Sequence, residues 1–239
     1  GVLPSYLLRE GDELTTGGFT GQKIGTLGAF TVADGRDVTG VYTTLVSGTA
    51  IVDATKDTAI LHQNSEGPTI NSAAIEGEAT AVADVTLGQV TNRPSVMDVF
   101  VHFPTALTGP ATSTLNNHAL AMIDDNALSA PAILARRGTD LASPLGGIAG
   151  QLSTLLGESV NENEGYLYRA TLTGAASSQN EGLWMQGGNT PIALEGIAAP
   201  GLPAGVGFRR FYRFWMLPQD QVLVLATLLG TGVNSANDF

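Results

Sequence analysis

The sequence predicts an all-β fold of four tandem repeats, most simply a β-propeller of four blades with about four strands each. Three features of the chain predict it. A short apolar segment closing on Leu and then Gly recurs four times, a polar-Gly pair recurs at a similar interval, and a third strand-like segment keeps step with both.

The apolar segment reads Val41-Tyr42-Thr43-Thr44-Leu45-Val46-Ser47-Gly48, then Val99 to Gly109, Tyr166 to Gly174 and Val222 to Gly230. Its closing glycines lie 61, 65 and 56 residues apart, and 57 apart through the chain ends. The second landmark is Leu8-Arg9-Glu10-Gly11, Asn64-Ser65-Glu66-Gly67, Ala135-Arg136-Arg137-Gly138 and Ala193-Leu194-Glu195-Gly196. The third is Asn180-Glu181-Gly182-Leu183-Trp184-Met185, matched by Asn117 to Met122 and by Lys56 to Leu61. Its fourth copy begins at Asn237-Asp238-Phe239 and is expected to resume at Gly1-Val2-Leu3.

These segments are short, rich in β-branched or aromatic residues, and bounded by turn formers, which reads as strand. Asn161-Glu162-Asn163-Glu164-Gly165 and Pro218-Gln219-Asp220 read as hairpin turns, because Asn, Asp and Gly tolerate the positive φ that such turns need. A period of roughly 60 residues holds about four strands at ordinary lengths. The expected copies are 7–60, 61–132, 133–191, and 192–239 with 1–6, in one domain spanning 1–239. An N-terminal strand completing the last blade would close the ring and hide two sheet edges. An open stack of sheets is the alternative.

Composition narrows the function. The formal charge is −11 and lysine occurs only at Lys23 and Lys56, which argues against nucleic acid. With no cysteine, disulfides, thiolate nucleophiles and sulfur-ligated metals are excluded. No apolar run reaches the roughly 18 residues of a membrane-spanning helix. Gly1-Val2-Leu3-Pro4-Ser5 lacks the basic start of a signal peptide, so the expectation is a mature or excised form.

Candidate chemistry is sparse. His62 and His118 fall on or beside outer strands and His102 within an inner strand, a spacing that favours structural histidines over a metal triad. No G-x-S-x-G nucleophile elbow occurs. Asp34 with Asp37, and Asp124 with Asp125, offer hard oxygen ligands suited to Ca²⁺, as do Asp53 with Asp57, Asn161 to Glu164, and Asn237-Asp238. None has the alternating pattern of a calcium loop, and turns recruit Asp and Asn for backbone reasons. No carboxylate pair stands out for glycoside cleavage.

Aromatics crowd one stretch of the fourth copy, with Phe208, Phe211, Tyr212, Phe214 and Trp215 interleaved by Arg209, Arg210 and Arg213. Aromatic faces beside arginine suit a glycan or a protein partner. The candidate ligand-binding set is Arg209, Arg210, Tyr212, Arg213 and Trp215. The competing reading puts Phe211, Trp215 and alternate neighbours in the core between blades.

Leu7-Leu8-Arg9-Glu10-Gly11-Asp12, Leu194-Glu195-Gly196-Ile197-Ala198-Ala199-Pro200-Gly201 and Asn180-Glu181-Gly182-Leu183-Trp184 together resemble a family of bacterial exported proteins. Its tandem units read roughly REGDPAPG, NxxGxVAFxAxLxG and NDxGIW. Asn163 to Gly174 keeps the middle motif well, whereas copy two is degenerate and Ala135-Arg136-Arg137-Gly138 departs from the acidic turn. The resemblance implies export and a propeller-like fold, and it carries no reaction. The expectation is a non-catalytic extracellular or cell-surface structural module. It would act through protein–protein contacts, as a homo-oligomer or surface assembly, with no cofactor beyond a candidate Ca²⁺. A glycan-binding propeller is the alternative, and a propeller hydrolase or lyase ranks behind both.

Overall fold

The computed structural model describes residues 8–15, 20–32, 39–48, 52–63, 70–90, 94–97, 100–124, 129–143, 148–161, 165–186, 188 and 191–238. The chain forms two compact units, Gly1–Ile133 and Leu134–Phe239. Both are built from antiparallel sheets, as expected of an all-β chain. Among the described residues the one helical segment is a 3-10 turn at Pro218–Asp220. No described helix is long and apolar enough to cross a membrane.

The first unit holds two sheets, apart from residues 134–136 at the end of the second sheet's last strand. In the first, β1 (Gln22–Val32), β2 (Thr39–Ser47), β3 (Thr58–Gln63) and β4 (Ile70–Ile75) follow one another as a meander. The second orders β5 (Thr86–Val90), β7 (Phe100–Thr108), β8 (His118–Asp124) and β9 (Ala132–Arg136), with β6 (Ser95–Met97) also paired to β7. The second unit holds the other two. The third sheet runs β10 (Asp140–Ala142), β11 (Ile148–Val160), β12 (Tyr166–Thr173), β13 (Glu181–Met185) and β14 (Ala193–Leu194). The fourth pairs β15 (Val206–Met216) with β16 (Val222–Gly230), and among the described residues it has only these two strands.

The repeated apolar segment forms β2, β7, β12 and β16, each the second of its sheet's main strands after β1, β5, β11 and β15; in the third sheet the short β10 lies outside β11. Backbone hydrogen bonds repeat with it. A turn with a positive-φ glycine precedes each first strand, at Gly11, Gly77, Gly138 and Gly196, with φ of 86°, 85°, 84° and 76°. Each glycine donates its N–H to the first strand, to Ile24, Leu87, Leu152 and Phe208 O at 2.7–2.8 Å. The second landmark therefore sits at Glu76-Gly77 in the second repeat. Glu66-Gly67, expected there, falls in the connection between β3 and β4 and outside the described residues. Two Glu-Gly pairs ten residues apart look alike in sequence, and only the hydrogen bond to Leu87 tells them apart.

A four-residue turn precedes β3, β8 and β13 and recurs after β16, with N–H groups of Lys56, Asn116, Gln179 and Asn237 bonded to the carbonyls of Asp53, Ser113, Ala176 and Asn234. The next residue then clasps the second strand: Leu107, Leu172 and Leu228 donate to Asn117, Asn180 and Asp238 O at 2.7, 2.7 and 2.8 Å. Asp238, rather than Asn237, thus matches Asn180, one residue later than the sequence alignment placed it. The strand expected from residues 1–6 lies outside the described residues.

Three of the four closing glycines are set by close approach of backbone, whereas at Gly174 nothing lies within 4 Å and only its φ of 86° favours glycine. A Cβ on Gly48 would lie 2.6 Å from Gly21 O, and one on Gly109 2.5 Å from Asp84 O. On Gly230 it would overlap Gly205 O. No other residue fits where the first and second strands diverge this tightly.

The first and third sheets each bury a forward face against the sheet that follows in the same unit. Ile60 and Ala74 of the first sheet pack with Leu87, Val90, Val101 and Phe103 of the second. Leu167, Leu183 and Ala193 of the third pack with Phe211 and Met216 of the fourth. On the rear face of the first sheet, Ile24, Ala59 and Leu61 pack with Leu14 and Leu8.

These turns give a paired expectation. Gly11→Ala should cost about 1 kcal/mol, the strain of a side chain at positive φ, since nothing lies within 4 Å of the new Cβ. Gly196→Ala should cost clearly more, because its Cβ would meet Ser178 O at 2.6 Å. Urea denaturation of the two variants measures this, and equal costs would contradict the packing described.

Candidate functional site

The fourth sheet places the arginines and aromatics. Facing pairs across an antiparallel ladder share one side of the sheet. Phe208, Phe211, Phe214 and Met216 stand opposite Leu228, Ala226, Val224 and Val222, and these form the rear face. Arg210, Arg213 and Trp215 stand opposite Thr227, Leu225 and Leu223, and these form the forward face.

Phe208, Phe211 and Phe214 share a face at a spacing of three because the register slips between Phe208 and Arg210 and again between Phe211 and Arg213. Arg209 and Tyr212 are the extra residues of two β-bulges, which also bend and twist the strand. The same two slips occur in β1, between Ile24, Leu27 and Phe30, and in β11, around Leu152 and Leu155. Apolar residues every third position are thus the mark of these bulged first strands. That signal is present in the sequence, but strict alternation is the usual template for a strand.

The rear face is core. Phe211 is fully buried among Leu167, Leu183, Ala193 and Met216, with Phe208, Phe214, Val222, Val224 and Ala226 around it. The Phe208 and Phe211 rings lie 5.3 Å apart. Buried Asn161 locks the joint: its side-chain amide donates to Leu217 O at 3.0 Å and Asp220 Oδ1 at 3.2 Å, and its Oδ1 accepts from Gly165 N at 2.8 Å. Ser159 Oγ accepts from Met216 N at 2.9 Å.

The forward face is bare at Leu223 and Leu225, while Thr227 at its other end is buried. Leu223 is 52% exposed, whereas Leu167 and His102, which stand the same seven residues before their closing glycines, are 0% and 1% exposed. Leu225 is 44%, Tyr212 44% and Trp215 40% exposed. β16 is apolar at consecutive positions, the pattern of a strand buried on both faces, and only one of its faces is covered. Each half-exposed leucine leaves about 1 kcal/mol of transfer free energy unrealised.

All five residues expected to bind a ligand, Arg209, Arg210, Tyr212, Arg213 and Trp215, are exposed. Of the two expected in the core, Phe211 is there and Trp215 is not. The Arg210 guanidinium lies 5.4 Å from the Tyr212 ring centre. Arg209 enters a separate pocket of about 260 Å³ with Leu228, Asn234, Ser235 and Asp238. None of the three arginines has an ion pair among the described residues, unlike Arg169, whose Nε lies 2.9 Å from Glu181 Oε1. Leu223 and Leu225, the apolar centre of the face, are the residues that sequence reasoning assigned to an inner strand.

Asp124 ends β8, while Asp34, Asp37 and Asp125 lie outside the described residues. Among the described residues no three acidic or histidine side chains gather closely enough to hold a metal ion. His118 is exposed with Nδ1 2.9 Å from Asn117 Oδ1. His62 and His102 are buried in β3 and β7. Burial pushes the Glu195 carboxyl up, and the neighbouring Glu181 charge adds to it.

These features define a class, an all-β protein of tandem antiparallel sheets whose last sheet presents an uncovered apolar face rimmed by arginine. Residues 100–239 match a family described as a family of unknown function, DUF7453, and the chain belongs to it. The match begins with β7 and takes in the third and fourth sheets. No curated protein and no solved structure matches the chain.

Burial lowers the His102 pKa to about 4, below the ordinary 6.5 of an unfolded chain. The folded state therefore binds the proton less tightly, and stability is complete above pH 6.5 and falls as the pH drops toward 4. The loss is of order 3 kcal/mol at its limit. Denaturant midpoints between pH 7 and 4.5 should fall for the native chain and fall less for His102→Gln.

Proposed function

We propose that this protein is a non-catalytic structural module, exported to a bacterial cell surface or extracellular material, that works through protein–protein contact. Its four sheets are the blades of a propeller-type repeat. The observation that carries the reading is the forward face of the fourth sheet. Trp215, Tyr212 and Arg213 grouped around Leu223 and Leu225 have the composition of an interface centre. Contiguous apolar patches of this kind mark binding sites on soluble proteins. Export rests on the resemblance of the repeat units to exported tandem-repeat proteins.

Two arrangements cover this face: a closed four-bladed ring whose last blade is completed by residues 1–6, or a joint between copies. A glycan-binding surface is the second reading, favoured by the Arg210–Tyr212 contact and the open Trp215 ring. A hydrolase or lyase ranks behind both, since the pocket at Arg209 holds a single carboxylate, Asp238, where such chemistry needs convergent titratable groups.

Light scattering on the native chain from micromolar to millimolar concentration tests the reading. The mass should rise above 24.6 kDa as the protein is concentrated. A constant 24.6 kDa would sink assembly. Retention on immobilised glycans, lost in folded Arg213→Ala and Trp215→Ala variants, would then support the second reading.

A further inference from the structure

We propose that the pocket beside Arg209 is a binding site for a small zwitterion, an α-amino acid that carries its carboxylate and its ammonium on one carbon. The pocket is built by the fourth sheet and the turn that follows it, and it does not depend on the assembly reading.

Its place recurs in the other sheets, but its charges do not. Ile24, Leu87, Leu152 and Phe208 each accept from the turn glycine, so the residue after each holds one place: Gly25, Gly88, Ser153 or Arg209. Only the fourth sheet puts a long cation there. The turn on the other side is the same in the second and fourth sheets. Ser113 N donates to Asn116 Oδ1 and Asn234 N donates to Asn237 Oδ1, both at 2.7 Å. The Asn116 and Asn237 side-chain amides then donate to Ala111 O and Gly232 O at 3.4 and 3.0 Å. The second sheet builds this turn with Gly88 in the place of Arg209, so the turn does not need the arginine.

Arg209 and half-buried Asp238 line one pocket of about 260 Å³. Among the described residues they form no ion pair, with each other or with any other group. A separated cation and anion around a shared space suit a molecule that bears both charges. Arginine takes a carboxylate through two parallel N–H···O bonds, and the Asp238 carboxylate accepts from an ammonium. A simple anion is opposed by Asp238 and a simple cation by Arg209, so each charge rejects the ligand that suits only the other. Asn234 Oδ1 is already taken by Ala236 N at 2.9 Å, and the Ser235 hydroxyl is the further polar group of the wall. Leu228, Leu229 and Val233 supply an apolar side for an aliphatic side chain. At about 260 Å³ the space is smaller than the roughly 300–1,000 Å³ of a drug-sized pocket, which suits one amino acid rather than a peptide.

Titration of the full chain followed by NMR tests this with three probes: L-leucine, 4-methylpentanoate, which lacks the ammonium, and 3-methylbutylamine, which lacks the carboxylate. L-Leucine should saturate the site with a Kd of order 1 mM. Each analogue should bind about fivefold more weakly, the worth of one exposed charge pair. Arg209→Gln should erase the advantage of leucine over the amine and keep its advantage over the acid. Asp238→Asn should do the reverse. A damaged turn would weaken all three probes alike, so the crossed pattern reads contact with the ligand. If a variant does not fold by circular dichroism, the three probes on the native chain still decide.

Leucine that fails to saturate by tens of millimolar, or that binds no better than either analogue, would overturn the proposal. Equal loss of all three probes in both folded variants would overturn it too. Glucuronate that saturates the pocket where leucine does not overturns the amino-acid assignment and gives the pocket to an acidic sugar.

Discussion

The rest of this structure depends on one constraint: strands such as β7 and β12 bury residues on both of their faces, so a sheet built on them needs cover on both sides. The second strands show it most directly. β7 and β12 bury residues of both faces, His102 beside Phe103 and Leu167 beside Tyr168, because side chains alternate across a strand. A sheet of this kind is stable only as a member of a series, as in other repeat architectures where the stacking of units builds the core. The tightly repeated turns follow from that requirement. Successive sheets must present equivalent faces to each other, so the glycine turn, the bulged first strand and the launching turn recur in register.

The bulged first strand is the means by which the sheets fit. In β15 two extra residues, Arg209 and Tyr212, turn a run of eleven residues into a bent strand with three phenylalanines on one face and arginine on the other. A regular strand of this sequence would split those phenylalanines between its faces, and a rear face with one polar and one aromatic half could not fill the space against Leu167 and Leu183. The Asn161 side chain then secures the hairpin end of the joint by satisfying backbone groups of Leu217 and Gly165 in a buried setting, where leaving them unpaired would be costly. Burial on both faces also explains why His102 sits inside β7, where its proton is held weakly. Pairing a buried histidine position with an exposed leucine two sheets further on shows that the environment belongs to the place in the series and not to the residue type.

The series is interrupted at the fourth sheet. At the fourth sheet the same face that is buried in the third becomes surface, and the residues there are the large amphipathic ones, Trp215, Tyr212 and Arg213, with two leucines between them. A charge imbalance accompanies it, since an acidic first unit is paired in the same chain with a nearly balanced second unit that carries the exposed arginines.

Sequence by itself determined the all-β class, the fourfold period, the second strand of each sheet and the hairpin turns at Asn161 and Pro218, because glycine and turn residues act locally and the apolar pattern repeats. It also singled out the fourth-copy arginines and aromatics. Sequence could not choose between Glu66-Gly67 and Glu76-Gly77, because a dipeptide does not record which carbonyl it will bond. Nor could it divide the aromatic cluster. Phe211 and Trp215 are four residues apart and look alike in composition, and only the two bulges send one to the core and the other to the surface. The exposure of Leu223 and Leu225 was decided by tertiary structure alone, since an apolar strand is buried or bare according to whether another sheet lies against it, and that neighbour is not written in the strand.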